Sequence, residues 1–200
     1  MEQEQTWIKQ ALGGNQEAFM HLVETYQTPI YNLAYRMLGN SQEAEDAAQE
    51  TFIRAYTRLT TYDPTRKFIS WLLSIASHYC VDRLRRRQLN LISLEELPPW
   101  QSIASDLLQP EERLIENQTQ DAVQALLESL PAHYRVPVIL HYWYDLPYKE
   151  IAEMLELTES AVKSRLHRAR EMLAQAVTQA DEDRKQMIVG ALQATPGRRC

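Results

Sequence analysis

Two hundred residues with 44% hydrophobic side chains can bury one or two cores, which excludes a disordered chain. The formal charge of −6 argues against indiscriminate polyanion binding. Cys80 and Cys200 are the only cysteines, so a disulfide framework or a four-cysteine zinc site within one chain is excluded and a reducing cytoplasm is expected. No apolar run approaches the ~20 residues of a membrane span, and the polar start MEQEQTWIKQ carries no signal-peptide pattern.

The charge is unevenly placed. Residues 1–58 are net −4 and residues 59–90 net +4; residues 91–162 are net −10 and residues 163–200 net +4. Each basic block can approach phosphate, while the acidic blocks repel it or face a basic protein.

In chain order, residues 3–12 predict a short helix with Trp7, Ile8, Ala11 and Leu12 inward, broken at Gly13-Gly14-Asn15. A longer helical pattern runs from about Glu17 to Leu38, where Pro29 should bend or split it and Gly39 should stop it. Ser41 opens a third helix whose first-turn acids suit the helix dipole. Its packing side is Ala44, Ala47, Ala48, Phe52, Ile53, Ala55 and Tyr56. Glu43, Asp46, Gln49, Glu50 and Arg54 lie on an acidic, exposed face, which by itself reads as plain solvation.

Residues 59–67 predict a loop with a turn at Asp63-Pro64. A helix then spans Phe68 to Arg87 and ends in Arg83, Arg85, Arg86 and Arg87. Part of that basic end answers to the helix dipole alone. Residues 88–110, with Pro98-Pro99 and Pro110, read as an inter-domain linker. A second helical domain follows. One helix spans 111–129 with Ala122, Val123, Leu126 and Leu127 inward, and another runs from Pro131 through Ile139 to Trp143. Residues 176–200 read as a polar tail with a helical stretch around Met187 to Leu192 and no regular structure at TPGRRC.

The stretch Asp145–Leu173 predicts a helix-turn-helix. Pro147 opens its first helix, where a missing N–H is harmless. Thr158 caps the second. Ala161, Val162, Leu166, Ala169 and Leu173 form an apolar stripe opposite Ser160, Lys163, Ser164, His167 and Arg168. A basic, polar helix face of this kind fits a DNA major groove; the same spacing also suits an ordinary helical hairpin. Arg66, Lys67, Phe68, Trp71, His78 and Tyr79 interleave cations with aromatics, which suits a single strand stacked on rings, although Phe68 and Trp71 also suit a core.

Signatures of catalysis are missing. There is no P-loop, no dinucleotide-type glycine motif, no nucleophile elbow and no His-Glu-x-x-His pair. No catalytic residue, metal ligand or cofactor is therefore assigned.

Three motifs together resemble the extracytoplasmic-function (ECF) sigma factors of the sigma-seventy superfamily, bacterial promoter-specificity subunits of RNA polymerase. EAEDAAQETFIRAY (43–56) is similar to the family's region-two helix that docks on the polymerase clamp. KFISWLLSIASHYCVDRLRRR (67–87) is similar to its promoter-melting and minus-ten-reading segment. LPYKEIAEMLELTESAVKSRLHRAREML (146–173) is similar to its region-four reader of the minus-thirty-five element.

The resemblance implies an all-α fold of two small helical domains joined by a flexible linker, the second containing the helix-turn-helix. The domains would span residues 1–90 and 111–175, with a linker at 91–110 and a tail at 176–200. It implies core-polymerase docking through Asp46, Gln49 and Glu50. Minus-ten DNA would meet Tyr62, Arg66, Lys67, Trp71, His78, Arg83, Arg85 and Arg86; minus-thirty-five DNA would meet Ser160, Lys163, Ser164, Arg165 and Arg168. Expected partners are core RNA polymerase through its clamp and flap regions, promoter DNA and an anti-sigma factor, in a stress or envelope response and without direct membrane insertion. The main rival is a stand-alone helix-turn-helix regulator binding operators as a dimer; a helical metal-dependent hydrolase is remote.

Two positions depart from the family pattern. His78 stands where Asn is common, and Glu156 occupies a turn position where Gly is common. A left-handed backbone at Glu156 costs roughly 1 kcal/mol.

Overall fold

The computed structural model describes residues 2–95 and 116–193, with side chains described for 3–89 and 120–179. Among the described residues every regular element is helical: α1 (Glu2–Leu12), α2 (Gln16–Leu38), α3 (Ser41–Thr57), a 3-10 turn (Leu59–Thr61), α4 (Phe68–Glu95), α5 (Glu116–Glu128), α6 (Ala132–Tyr144), α7 (Tyr148–Met154) and α8 (Glu159–Gln193). The expected all-α fold with a helix-turn-helix is what forms.

Helix α2 is the spine of the first region. Leu22, Ile30, Leu33, Ala34 and Met37 are fully buried along it, against α1, α3 and α4. Local chemistry sets its ends. The Asn15 side chain accepts from the Ala18 N–H at 3.1 Å, satisfying an orphan donor. Gly39, at φ 74°, ends the helix in the left-handed conformation that glycine adopts without strain, and donates to the Tyr35 carbonyl at 2.8 Å. Asn40 then caps α3 by accepting from the Glu43 N–H at 2.9 Å.

Pro29 does not split α2. Proline removes one helix donor, a loss of a few kcal/mol in an exposed helix; here the buried residues on both sides of it hold the helix through that point.

Two helices outrun their expected ends. Helix α4 continues past Arg87 to Glu95, since no Gly or Pro lies before Pro98. Helix α8 continues past Leu173 to Gln193 because residues 174–189 contain no Gly or Pro and several good helix formers. The expected tail is thus helical as far as Gln193. The linker beyond Glu95, the start of the helix expected at 111, and residues 194–200 lie outside the described residues.

Several residues expected inside are exposed: Leu12, Ile53, Tyr56, Val123 and Trp143. In α3 the buried side is narrower than expected. Ala44, Ala47, Ala48, Thr51, Phe52 and Ala55 fill it, while Ile53 stands one ridge over at 59% exposure.

The two regions pack on each other, and one cluster of buried side chains runs through both. Helices α5 and α6 lie against α2, while α6 and α7 lie against α4. Tyr144 donates its hydroxyl to the Pro29 carbonyl at 2.5 Å. Gln124 Nε2 reaches the Tyr35 and Arg36 carbonyls at 3.4 and 3.5 Å. Arg36 lies over the Trp143 ring at 5.1 Å, which explains the exposed tryptophan. Arg135, 6% exposed, donates to the carbonyls of Glu128, Leu130 and Met37.

Two stability outcomes follow from this packing. Ile139→Ala removes a fully buried side chain and should cost about 2–5 kcal/mol in urea unfolding. Glu156 has φ 55°, so Glu156→Gly should stabilise by about 0.5–1 kcal/mol once glycine's entropy cost is set against the relieved strain, and raise the melting temperature by about 1–4 °C in calorimetry.

Candidate nucleic-acid and protein interfaces

The helix-turn-helix is built as its residues dictate. Pro147 precedes α7 in extended conformation, and Ile151, Ala152 and Met154 turn inward. Glu156 takes the expected left-handed backbone, which lets the Leu157 N–H reach the Ala152 carbonyl at 2.8 Å. Thr158 Oγ1 accepts from the Ala161 N–H at 3.1 Å and so caps α8. Val162, Leu166 and Ala169 are buried, whereas Ser160, Lys163, Ser164, His167 and Arg168 are exposed along one side.

Arg165 is half-buried on the edge of that side. Burial of His133 on α6 and then the nearby Arg165 charge hold that imidazole below its ordinary range. Arg168 Nη1 lies 3.5 Å from the Tyr134 hydroxyl, the edge of hydrogen bonding, and that contact raises its pKa. Arg168 is thereby tethered at the foot of α8.

The segment from Tyr62 to Arg87 divides differently. Tyr62 is buried: its hydroxyl donates to the Arg66 carbonyl at 2.5 Å, and its ring meets Phe68 and Trp71 at 5.2 and 5.4 Å between centroids. Trp71 is half-buried in the same cluster. These rings anchor the loop, with Tyr62 buried and Trp71 keeping a partly exposed face. Arg66 and Lys67 are exposed beside them. Asp63 shapes the loop by accepting from the Thr65 N–H and hydroxyl at 2.9 and 2.7 Å, bonds that hold its carboxyl below the usual range. His78 is exposed, with Nδ1 2.8 Å from the Ser74 carbonyl.

Arg83 is partly buried, its Nη2 3.6 Å from Glu43 Oε1. Burial works against its charge, but Glu43 and Tyr79 more than compensate and its pKa rises. Arg85 and Arg86 are exposed. Arg83 and Arg86 wall a cleft of about 360 Å³ together with Arg54, Tyr79 and Arg87. Arg54, expected on the exposed acidic face of α3, was not linked to these arginines by sequence. It belongs to α3, and only packing brings its guanidinium over the Tyr79 ring at 4.9 Å. Glu43, read as part of an exposed acidic face, is instead drawn into this basic cluster.

On α3, Asp46 and Gln49 are exposed, while Glu50 is half-buried and receives a 2.8 Å bond from Arg54 Nε. Gln49, Ile53 and Tyr56 share one ridge at helical spacing. Beside it, Val23, Tyr31, Ala48 and Phe52 line an open groove between α2 and α3. The acidic face therefore carries an apolar strip that the sequence assigned to the core.

Cys80 is fully buried, and burial pushes its thiol up to about 12, so it is not a reactive thiolate. Among the described residues no group of three or more His, Cys, Asp or Glu side chains could hold a metal ion, and no helix is long and apolar enough to cross a membrane.

Comparison with known proteins identifies both helical regions. The Sigma-70 region 2 model matches residues 22–89, and the Sigma-70 region 4 model matches residues 120–173. The ECF RNA polymerase sigma factor SigW of Bacillus subtilis is 39% identical over 172 residues, covering 83% of this chain and 92% of that protein. The ECF RNA polymerase sigma-E factor of Escherichia coli is 30% identical over 176 residues, covering 85% and 92%. Among solved structures, CnrH in complex with the cytosolic domain of CnrY is similar at a TM-score of 0.65 and 25% identity, over 90% of this chain and 99% of that one. The sigma factor RpoE in complex with the anti-sigma factor NepR from Bartonella quintana shares the fold at 0.60, over 80% and 96%. The region-two match gives residues 22–89 a role that a stand-alone operator-binding regulator has no use for. The chain belongs to the ECF RNA polymerase sigma factors, non-catalytic subunits that bind core polymerase and direct it to promoter DNA.

Proposed function

We propose that this sigma factor grips its promoter at two points, with the roles divided among the residues described above. The first region, taken as residues 1–90, docks on the polymerase clamp through Asp46, Gln49 and Glu50. It captures melted minus-ten DNA through Arg66, Lys67, His78, Arg83, Arg85 and Arg86. Tyr62 and Trp71 act there by holding the loop. The second region, taken as 111–175, reads duplex minus-thirty-five DNA through Ser160, Lys163 and Ser164, with Arg165 and Arg168 on phosphate.

One observation carries the proposal. Helix α8 buries an apolar stripe and leaves Ser160, Lys163, Ser164 and Arg168 exposed along its other side. Such a helix offers short polar donors at its N-terminal end, where a recognition helix meets base edges, and cations further along, where it meets phosphate.

The reading extends to partners and place. A cytoplasmic protein in a stress or envelope response, held by an anti-sigma factor, fits the family. The NepR complex is one structure of similar fold in which a sigma factor is so held.

Run-off transcription with sigma-free core polymerase on a randomised promoter library tests the whole reading; absence of any selected minus-ten and minus-thirty-five pair would sink it. Lys163→Ala should weaken promoter binding by the holoenzyme and lower its salt slope by about one unit. An unchanged slope would remove Lys163 from the contact. Asp46→Lys should weaken core-polymerase binding by about tenfold or more, measured by competition against wild type, with helical content unchanged by circular dichroism.

A further inference from the structure

The surface assigned to melted minus-ten DNA is occupied, in this closed arrangement, by α7 of the chain's own second region. Arg66 Nη2 lies 3.1 Å from Glu153 Oε2. Ser70 Oγ donates to Glu150 Oε1. One turn later, Ser74 Oγ donates to the Met154 carbonyl at 3.0 Å. Three donors, Arg66 just before α4 and Ser70 and Ser74 along its start, thus meet three oxygen acceptors from one short helix. Two of those acceptors are carboxylates, and the third is a carbonyl at the negative end of the α7 dipole. The cleft between the helices, about 380 Å³, has Lys67 and Trp71 on one wall and Lys149 and Pro147 on the other.

A nucleic-acid backbone presents the same chemistry to such donors: spaced anionic oxygens. We infer that α7 is a built-in competitor for the minus-ten strand, its Glu150 and Glu153 taking the positions of phosphates on Arg66 and Ser70 until the second region swings away. This rests on the assignment of Arg66 and Lys67 to minus-ten DNA made above.

The arrangement suits a gate. Across the rest of the interface, Gln124, Arg135 and Tyr144 donate to backbone carbonyls of α2. These polar contacts flank the buried apolar cluster that runs through both regions, so closure rests on apolar burial as well as on these bonds, and opening exposes part of that surface. Closure also leaves Ser160, Lys163 and Ser164 of α8 exposed. Duplex DNA can therefore be met while the single-strand surface is shut. Competition of this type lowers apparent affinity by the fraction of molecules open.

Two measurements on the full chain test the gate. The first is fluorescence anisotropy of labelled oligo(dT) at low salt. The Glu150→Gln/Glu153→Gln variant should bind about three- to tenfold more tightly than wild type, since the exposed Arg66–Glu153 pair contributes a small factor and the part-buried Ser70–Glu150 bond adds to it. Ser74→Ala, which changes no charge, should tighten binding less but in the same direction. Adding Arg66→Ala and Lys67→Ala to the carboxamide variant should abolish the gain. The second is the distance between spin labels at Thr61→Cys and Ser164→Cys in a Cys200→Ser background, the buried Cys80 being left in place. The carboxamide variant should gain a longer-distance population. If that population does not appear, or if Ser74→Ala binds no more tightly, the gate is wrong although Arg66 and Lys67 keep their role. If removing Arg66 and Lys67 changes nothing in any background, the minus-ten assignment itself fails, and the gate with it.

Discussion

Arg135 places a guanidinium inside the molecule with no ion pair to it among the described residues. Such a charge is normally costly to bury, and burial does pull its pKa down. It is tolerated because helix C-termini leave carbonyls without partners and carry the negative end of the dipole. Arg135 donates to Glu128 and Leu130 where α5 ends and to Met37 where α2 ends. One side chain therefore closes two helices and ties the second region to the first. Two of its three partners lie in its own region, so separation of the regions exposes only the contact to Met37. The same residue can hold the closed arrangement and survive its opening.

That design shapes how the surfaces are used. Acidic α7 lies on the donors at the start of α4, while α8 keeps its polar side outward. The charge blocks of the sequence, basic at 59–90 and acidic at 91–162, attract each other within one chain before any polymerase or DNA arrives. A net charge of −6 is thus a poor guide to nucleic-acid binding; what matters is which acids cover which cations.

The helix-turn-helix was legible because each of its parts depends on neighbours a few residues away. Pro147, Glu156 and Thr158 act through local backbone geometry, and the stripe of Val162, Leu166 and Ala169 follows from helical period alone. The ends of α4 and α8 were less legible, since a largely polar helix end looks like a linker or tail when no sustained apolar period marks it. Ile53 was misplaced for a related reason. Periodicity locates a buried side to within about one ridge, and an apolar residue at its margin can belong to the core or to a partner. Tyr62 and Trp71 were singled out as aromatic residues near cations, yet nothing in their spacing reveals that they pack on each other and on Phe68.

By itself, the sequence determined the helices, their caps, the left-handed turn at Glu156 and the family, because these rest on residue type and short-range spacing. Only the tertiary structure decided that Arg54 joins the arginines of α4, that Glu43 is drawn in among them, and that Glu150 and Glu153 lie on Ser70 and Arg66. The first two contacts join consecutive helices of the first region, and the last joins the two regions. All depend on how whole helices pack, which no local pattern of residues encodes.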